Sequence, residues 1–291
     1  MMEKKLFQKA LKAISDDTPI QDIKPMSGGC INRAYRVQTG QRTYFIKTND
    51  HVPHDFFKKE ADGLALIRAT ATIHVPEVYY YNEPMNGEPV ILVMEWIEGE
   101  RSEQTDAALG HGLAQLHLKR GYFFGLKYQN YIGELKQYNG LFRTWLDYFR
   151  EQRLLQQIET AKALGRMPTE RLHSLMKLLD RLDRYIPEVV RPSLLHGDLW
   201  SANVLAGPNG VPYLIDPAVL YGHDEFEMAY TELFGGFTQN FYDAYYDINP
   251  LAADYQDRKP LYQLFYLLAH LNIFGEAYGP KVDEIVSRYV G

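Results

Sequence analysis

The sequence has a single cysteine and no long apolar run. Cys30 is the one cysteine in 291 residues, so no disulfide forms within the chain and the fold does not depend on an oxidising environment. No window is long and apolar enough to span a bilayer, and the N-terminal segment lacks the continuous apolar stretch of a signal peptide. These absences predict a cytoplasmic protein with no membrane partner.

Positive charge is scarcer than negative charge. The sequence contains 31 Lys and Arg residues against 37 Asp and Glu residues, and its formal net charge is −6. Because a phosphate backbone selects a basic surface, this balance argues against nucleic acid as a partner. Hydrophobic residues make up 46% of the chain, which is typical of a globular protein with an ample core.

The first hundred residues have the pattern of a β-rich lobe. Short β-rich runs separated by turn residues predict strands over Ala34–Thr39, Arg42–Thr48, Glu77–Asn82 and Pro89–Ile97. Between the second and third runs, the apolar residues of Asp55–Ala69 fall mainly on one helical face. We therefore expect residues 1–98 to form a small antiparallel sheet that carries one main helix.

After Gly99 the sequence becomes mainly helical. Apolar spacing and terminal Gly and Pro residues predict helices over Thr105–Arg120, Leu141–Leu164 and Thr169–Ile186. Helical patterns resume at Glu225 and are interrupted at Gly235–Gly236, Pro250 and Pro260. Residues 99–291 are thus predicted to form a mostly helical second lobe, and the whole chain a two-lobed α+β protein.

The segment from His196 to Asp216 has the spacing of a phosphoryl-transfer site. Asp198 and Asn203 are five positions apart, and Asp216 follows thirteen positions later within an apolar run. In sites of this pattern the first Asp accepts a proton from the acceptor hydroxyl, while the Asn and the second Asp hold Mg²⁺ against the triphosphate of ATP. The Asn209–Gly210 pair predicts the turn that folds the intervening hairpin back.

Each of these residues also has an ordinary interpretation. Asp198 and Asn203 are common turn and capping residues, and Asp216 would simply end a strand. Taken together, the spacing and the apolar runs on both sides favour the catalytic interpretation.

The first lobe contains a predicted phosphate site. The turn made by Ser27, Gly28, Gly29 and Cys30, with Asn32 after it, would let backbone amides approach phosphate oxygens. Lys47 follows alternating apolar residues, and Glu60 lies beside the apolar face of the next helix. A pair between these two side chains would hold the ammonium against the α- and β-phosphates. A plain hairpin and an exposed lysine are the alternatives.

The end of the first lobe predicts an adenine site. Met94, Glu95, Trp96 and Ile97 form an apolar strand that runs towards Gly99 at the lobe boundary. The backbones of Glu95 and Ile97 would meet the adenine edge, with Met94 in a gatekeeper-like position. A buried strand without a ligand is the alternative.

Together these motifs resemble the fructosamine kinase (ketosamine-3-kinase) family, within the protein-kinase-like and aminoglycoside phosphotransferase-like fold. His196–Asn203 and Ile215–Pro217 indicate the broad fold, which choline kinases share in part. The narrower resemblance rests on further stretches, which are Ser27–Asn32, Phe124–Leu126, Asn130–Gly133, Trp145 with Phe149 and Arg153–Leu154, Asp216–Ala218, Tyr221–His223 with Glu225 and Glu227, Glu232–Phe237 and Tyr262–Phe265. It extends from about Gly28 to Gly275.

The resemblance implies transfer of the γ-phosphate of ATP to the sugar moiety of a glycated amine, commonly at O3. The unstable product then releases the amine, which is deglycation or protein repair. By the same resemblance Asp198 is the base, Asn203 and Asp216 are the magnesium ligands, and Lys47 contacts phosphate with Glu60 as its partner. The acceptor stays open between free and protein-bound ketosamines, and between fructosamines and ribulosamines.

Four further residues are candidates for contact with the substrate: Trp200, His223, Glu225 and Glu227. A tryptophan there would stack on the sugar or pack in the core, and acidic residues in a first helical turn also complement the helix dipole. His117 is expected to be structural. The resembling family often carries a cysteine where Cys30 lies, so the chain is expected to be a monomer or a Cys30-linked redox dimer, with an inert Cys30 as the alternative.

Three other functions fit parts of the pattern. A kinase for an amino alcohol (choline-like), an aminoglycoside or a methylthioribose-like acceptor would use the same catalytic loop. A non-catalytic nucleotide-binding scaffold is disfavoured because Lys47, Asp198, Asn203 and Asp216 are all present. A protein kinase is disfavoured because Gly197 replaces the Arg of His-Arg-Asp and Pro217 replaces the Phe of Asp-Phe-Gly.

Overall fold

The computed structural model describes residues 2–26, 31–85 and 87–291. The chain divides into two compact units, Met1–Thr105 with Val204–Asp216, and Asp106–Asn203 with Pro217–Gly291. The short segment 204–216 thus belongs to the first unit, although both of its ends continue into the second unit along the chain. The assignment of residues 1–98 to nucleotide binding and of residues 99–291 to catalysis stays a prediction.

Within its described residues, the first unit contains a five-stranded antiparallel sheet. The strands are β1 (Ile20–Met26), β2 (Arg33–Thr39), β3 (Thr43–Asn49), β4 (Val78–Tyr81) and β5 (Val90–Glu95), in the spatial order β1-β2-β3-β5-β4. Its helices are α1 (Met2–Ala13) and α2 (Phe56–Arg68). The four predicted strands and the predicted helix are confirmed to within two residues at each end.

Two elements of the first unit were not predicted. Helix α1 buries Phe7, Ala10 and Leu11 in one apolar cluster with Ile46 of β3. Strand β1 is an edge strand in which no residue is fully buried. An edge strand with so few buried apolar residues gives a weak alternating pattern, and its pairing with β2 is what defines it.

The remaining strands are short. They are β6 (Phe124–Gly125), β7 (Asn130–Ile132), β8 (Leu135–Gln137), β9 (Leu141–Phe142), β10 (Ser193–Leu195), β11 (Val204–Ala206), β12 (Pro212–Leu214) and β13 (Leu220–Gly222). In the second unit β10, β13, β6 and β9 form one sheet in that order, and β7 pairs with β8. In the first unit β11 and β12 form a hairpin.

Helices dominate the second unit. After α3 (Glu103–His117), they are α4 (Trp145–Tyr148), a π-helical segment (Phe149–Leu155), α5 (Gln156–Ala163), α6 (Thr169–Leu179), α7 (Asp224–Thr231), α8 (Gln239–Tyr246), α9 (Tyr255–Phe274) and α10 (Gly279–Val290). An aromatic cluster fills the core, where Trp145 stacks on Phe149, and Phe226 contacts both of these rings as well as Tyr262 and Tyr266. The predicted mostly helical character is confirmed.

The predicted starts of two helices differ from those in the structure, by four residues for the helix predicted from Leu141 and by two for the helix predicted from Thr105. Leu141 and Phe142 form β9, and the helix begins at Trp145 after the cap Thr144, whose hydroxyl accepts a hydrogen bond from the Asp147 amide at 3.1 Å. Helix α3 begins two residues before Thr105, because the Ser102 hydroxyl accepts from the Thr105 amide at 3.3 Å. The cap of that helix is therefore Ser102. In return, the Thr105 hydroxyl accepts a hydrogen bond from the Ser102 amide at 3.0 Å.

The sequence predicted an interruption of the C-terminal helical region at Pro260, but α9 continues through this residue. Pro260 lies in the second turn of α9, where its missing N–H removes only the hydrogen bond to the carbonyl of Gln256, an exposed residue of the first turn. Predicted helix Thr169–Ile186 likewise ends its regular part at Leu179, followed by a 3₁₀ turn over Leu182–Arg184. In the described parts of the chain, no helix is long and apolar enough to cross a membrane.

Candidate active site

Lys47 lies on the central strand β3, between Ala34 of β2 and Leu92 of β5. Its neighbour Ile46 points into the α1 cluster, so the alternation of a strand turns Lys47 to the opposite face. There the Lys47 Nζ lies 2.8 Å from Glu60 Oε1 of α2 and also contacts the Asp216 carboxylate. The structure therefore brings together three residues that the sequence placed far apart.

The three charged groups shift one another's pKa values. Burial lowers the pKa of the Lys47 ammonium, but the carboxylates of Asp216 and Glu60 outweigh that effect and raise it overall. Burial, with the negative charge of Asp216, raises the pKa of Glu60 more than Lys47 lowers it. The lysine is thus held in its charged form, ready to meet a second anion such as a phosphate.

Asp216 follows the hairpin of β11 and β12. The hairpin reverses at Asn209 and Gly210, whose φ angles of 58° and 73° are both left-handed, so the predicted Asn-Gly turn is confirmed. Asp216 itself has a φ of 56°. A left-handed conformation is uncommon outside glycine, although Asp tolerates it better than most residues.

The predicted adenine site lies at the end of β5. Met94 is buried and pairs with Phe45 of β3. The Glu95 amide donates to the Glu77 carbonyl at 2.8 Å, so the carbonyl oxygen is the backbone group that Glu95 would offer to a ligand. Trp96 donates from Nε1 to Glu98 at 2.8 Å, on the segment that continues from β5.

The segment after β5 packs closely on the β11–β12 hairpin. A Cβ on Gly99 would lie 2.0 Å from the Gly207 carbonyl oxygen, so only glycine fits at position 99. Ile97 is buried and lies against the same Gly207. The hairpin that carries Asp216 therefore packs within the first unit against the predicted adenine segment.

The predicted phosphate turn is described only in part. Ser27, Gly28, Gly29 and Cys30 lie outside the described residues. The Asn32 side-chain oxygen accepts from Asn49 Nδ2 at 2.9 Å, and the same nitrogen donates to the Ile31 carbonyl at 3.1 Å. The start of β2 is therefore tied to the end of β3, close along the strand to Lys47.

In the second unit, Asp198 and Asn203 form one closed loop. Asn203 Nδ2 donates to the Asp198 carbonyl at 2.8 Å, and the Asn203 amide donates to the Trp200 carbonyl at 3.0 Å. The Asp198 amide in turn lies 3.3 Å from the ring Nδ1 of His196. Because the side-chain nitrogen Nδ2 of Asn203 donates to the Asp198 carbonyl, the side-chain oxygen Oδ1 points away from that carbonyl. An amide oxygen here and a carboxylate at Asp216 are donor types that fit Mg²⁺.

Gly197 allows this loop to pack closely against the backbone of Ala218. Its φ is +88°, and a Cβ would lie 2.0 Å from the Ala218 carbonyl oxygen. The Ala218 amide also donates to the His196 carbonyl at 2.9 Å. The loop and the segment after Asp216 are therefore in direct backbone contact, which explains why glycine stands where protein kinases have arginine.

Helix α7 supplies contacts to this loop that the sequence did not reveal. Glu227 is fully buried, and its carboxylate accepts hydrogen bonds from the amides of His196, at 3.0 Å, and Gly197. Tyr230, one turn further on, is hydrogen-bonded to the Asp198 carboxylate. The sequence offered no local signal for these contacts, because acidic residues in a first helical turn are also ordinary partners of the helix dipole, and only the structure shows that every residue from Glu225 to Thr231 is buried.

The four predicted substrate residues differ in exposure. Trp200 is 37% exposed, whereas the other three are buried. Burial lowers the pKa of His223, whose Nδ1 lies 2.7 Å from the Tyr262 hydroxyl. Glu225 is held by Arg258 and by the Ala252 amide at 3.2 Å. Contact of Trp200, His223, Glu225 and Glu227 with a substrate stays a prediction.

The fold and these two groups of residues define a kinase-like phosphotransferase. The aminoglycoside phosphotransferase APH(4)-Ia has the same fold, with a TM-score of 0.64 at 20% identity and coverage of 100% of this chain and 99% of that one. The family model for fructosamine kinase matches residues 2–291. The chain belongs to the fructosamine kinase family, as its motifs predicted.

Individual relatives agree with this assignment. A protein of Enterococcus faecium assigned as a ketoamine kinase is 40% identical over 279 residues, covering 94% of this chain and 99% of the relative. The chloroplastic protein-ribulosamine 3-kinase of Arabidopsis thaliana is 35% identical, with coverage of 94% and 84%. A crystal structure from Haemophilus somnus assigned as a fructosamine-3-kinase has a TM-score of 0.85 at 26% identity and covers 97% of both chains.

Proposed function

We propose that this protein transfers the γ-phosphate of ATP to a sugar hydroxyl of a ketosamine, with O3 as the acceptor atom. The observation that carries the proposal is the match of the fructosamine kinase family to the whole chain. It is supported by relatives that are named ketoamine kinase and protein-ribulosamine 3-kinase. A cytoplasmic location is part of the proposal, because a single cysteine suits a reducing compartment.

The first unit would bind the nucleotide. The Lys47 ammonium, kept charged by two carboxylates, would donate hydrogen bonds to the α- and β-phosphates. Glu60 would hold it there from α2 while Asp216 turns to the metal. The backbone carbonyl of Glu95 and the amide of Ile97 would meet the adenine edge, and Met94 would close the pocket beside it.

Asp198 would act on the acceptor. Its carboxylate would accept the proton of the sugar hydroxyl as that oxygen forms a bond to the γ-phosphorus and the bond to the β-phosphate oxygen breaks, releasing ADP. Asn203 and Asp216 are the residues that would hold Mg²⁺, which when bound neutralises the charge of the phosphates. The phosphorylated ketosamine would then release its amine, so the outcome is deglycation.

The acceptor can be decided by measuring ADP formation over a panel. The panel contains ribulosamine and fructosamine adducts, both free and on a protein, together with choline, an aminoglycoside and methylthioribose. We expect turnover with the ketosamines and a ³¹P NMR signal of a sugar phosphate in the product. Asp198→Ala should lower kcat by roughly 10³-fold or more while nucleotide still binds. Turnover only with the other acceptors would reject the ketosamine proposal.

A Cys30-linked dimer stays a prediction. Cys30 lies outside the described residues, and the ATP site proposed above needs no second chain.

A further inference from the structure

Two stretches of the family resemblance have no part in the proposed reaction. They are Asn130–Gly133, which contains β7, and Arg153 of the π-helical segment. Both belong to the second unit, where a series of hydrogen bonds joins them to the residues that follow Asp216. The series therefore ends beside one of the two predicted magnesium ligands.

Asp216 has a backbone conformation that its neighbours must maintain. A residue before proline is normally extended, because the proline ring crowds the backbone of the residue that precedes it. Asp216 precedes Pro217 and nevertheless has a left-handed φ of 56°. Strained backbone of this kind persists only where the surrounding structure fixes it on several sides. The residues after Pro217 must therefore be held firmly.

The backbone of Ala218 and Val219 is held by three hydrogen bonds. The Ala218 amide donates to the His196 carbonyl at 2.9 Å. The Val219 carbonyl accepts from Asn130 Nδ2 at 2.8 Å, and the Ala218 carbonyl accepts from Gln137 Nε2 at 3.4 Å. Strand β13 begins only after these residues, so side chains take the place of a sheet partner for the two carbonyls.

Asn139 sets the orientation of the Asn130 side chain. Asn139 Nδ2 donates to Asn130 Oδ1 at 2.9 Å, which leaves the Asn130 nitrogen to face Val219. Asn139 Oδ1 accepts in turn from Arg153 Nη2 at 2.7 Å and from the Tyr148 hydroxyl at 2.6 Å. Since an amide donates through nitrogen and accepts through oxygen, reversal of either asparagine would break hydrogen bonds on both of its sides.

Arg153 is a buried cation whose partners are neutral. It is fully buried, and it donates to four oxygens, which are the carbonyls of Tyr138, at 3.0 Å, and Gln152, at 2.8 Å, the side chain of Asn139 and the hydroxyl of Tyr148. In the parts of the chain that the structure describes, its Nε has no hydrogen-bond partner and no carboxylate pairs with its guanidinium. Because a buried charge without a counter-ion is costly, stability alone does not account for this arginine.

The π-helical turn allows Arg153 to reach these partners. Hydrogen bonds between residues five apart widen the turn, so residues five apart lie nearly over one another. Tyr148 and Arg153 are five apart, and the guanidinium carbon lies 4.7 Å from the centre of the Tyr148 ring. In an α-helix of about 3.6 residues per turn the same two side chains would point in different directions. Such turns are rare and occur frequently at functional sites.

We propose that Asn130, oriented by Asn139 and Arg153, is a positioning residue for the predicted magnesium ligand Asp216. By holding the Val219 carbonyl, Asn130 keeps the three residues after Asp216 in place, and these keep Asp216 left-handed. Without this hydrogen bond Asp216 relaxes towards the extended backbone that is usual before proline, and its carboxylate is displaced. The inference rests on the proposed metal-binding role of Asp216 and adds to it residues that act through the backbone.

The decisive variant is Asn130→Leu, in which the side chain keeps its size and branching but loses its polar atoms. Residues that orient a metal ligand typically contribute roughly 10- to 100-fold to metal affinity or activity. We therefore expect the affinity for Mn²⁺ in the presence of AMP-PNP, measured by EPR of the free ion, to fall by roughly tenfold or more. The kcat should fall with it, while KM for the ketosamine stays within about twofold, because the acceptor does not bind to Asp216.

The matched control is Asn272→Leu. Asn272 is also a buried asparagine of the second unit, and its Nδ2 donates to the Gln157 carbonyl at 2.9 Å, which joins α9 to α5. Its loss should lower the melting temperature but leave Mn²⁺ affinity and kcat unchanged at a temperature where the protein stays folded. If Asn130→Leu behaves in the same way as this control, the positioning role is wrong.

Arg153→Lys tests the other end of the series. Lysine keeps the charge, but a single ammonium does not reproduce the planar fork that reaches four oxygens. Mn²⁺ affinity should fall, and the double variant with Asn130→Leu should bind Mn²⁺ as Asn130→Leu alone does, because both act through the Val219 carbonyl. Additive losses would mean that Arg153 does not act through Asn130. Asn139→Leu, which removes the link between them, makes the same test if Arg153→Lys does not fold.

Hydrogen exchange of residues 216–222 separates this inference from the proposed function. Asn130→Leu should speed exchange of this segment relative to both the wild type and Asn272→Leu, because the backbone after Asp216 loses one of its hydrogen bonds. Absence of turnover in the wild type with every acceptor would reject the proposed function alone. Unchanged exchange and unchanged Mn²⁺ affinity in Asn130→Leu would reject the positioning role whether or not the wild type is active.

Discussion

Position 197 shows how one residue shapes the catalytic loop. Gly197 combines a left-handed φ with a backbone contact to Ala218 that leaves no room for a Cβ. The sequence alone places a glycine between His196 and Asp198, but only the contact with Ala218 explains it. The arginine of protein kinases would not fit in this backbone conformation.

Gly197→Ala should therefore affect both stability and activity. We expect the free energy of unfolding to fall by about 1 to 3 kcal/mol and kcat to fall as the loop shifts, measured by thermal unfolding and steady-state kinetics. Gly165→Ala is the control, because Gly165 has a similar φ of +68° but nothing within 4 Å of its added Cβ. Its kcat should be unchanged. Equal effects of both variants would mean that φ alone, and not the Ala218 contact, decides position 197.

Lys47 of β3 pairs with the carboxylates of Glu60 and Asp216, so its removal should destabilise the protein. Lys47→Met leaves Glu60 buried without its cation, which costs about 3 to 5 kcal/mol when a buried pair is broken. KM for ATP should rise sharply, because the phosphate donor is lost. Lys47→Arg keeps the charge and is the control for stability.

The stability of the Lys47→Met variant should also depend on pH differently from that of the wild type. Burial already raises the pKa of Glu60 in the wild type, and loss of Lys47 raises it further, so the folded variant binds this proton more tightly than the unfolded chain. Its stability is greatest at low pH and falls as pH rises through the folded pKa. The stability difference between wild type and Lys47→Met should thus be larger at about pH 8 than at about pH 5.5 in urea unfolding. A difference that shrinks with rising pH would contradict the buried-pair interpretation.

At the scale of elements, the first residue of a helix depends on its capping residue, which the apolar periodicity of the sequence does not identify. The helix predicted from Leu141 begins at Trp145 because Thr144 caps it, while Leu141 and Phe142 pair with β6. Apolar spacing continues through both elements, so periodicity alone could not separate them. The strand exists only because a distant segment pairs with it.

Thr144→Ala should destabilise that helix without altering catalysis. Loss of an N-cap hydroxyl costs about 1 kcal/mol, so the urea midpoint should fall while kcat and KM stay constant. Thr144→Asn keeps a capping oxygen and should retain most of the stability. A loss as large in Thr144→Asn as in Thr144→Ala would show that the hydroxyl does not act as the cap.

At the scale of the whole molecule, the path of the chain links the two predicted magnesium ligands. The chain leaves the second unit after Asn203, forms the hairpin of the first unit, and leaves that unit after Asp216. Each ligand is thus the last residue before a change of unit.

The sequence by itself determined the fold class, the family and the positions of the segment His196–Asp216. These follow from spacing along the chain, and spacing is a local property that one sequence displays. Only the tertiary structure decided that Glu227 accepts hydrogen bonds from the loop and from His117, and that Asp216 joins the pair of Lys47 and Glu60 that the sequence predicted. Those contacts join residues up to 169 positions apart, and nothing local to either residue encodes its partner. Burial then decides what an acidic side chain does, since a carboxylate in the core must be satisfied by whichever donors the fold brings to it.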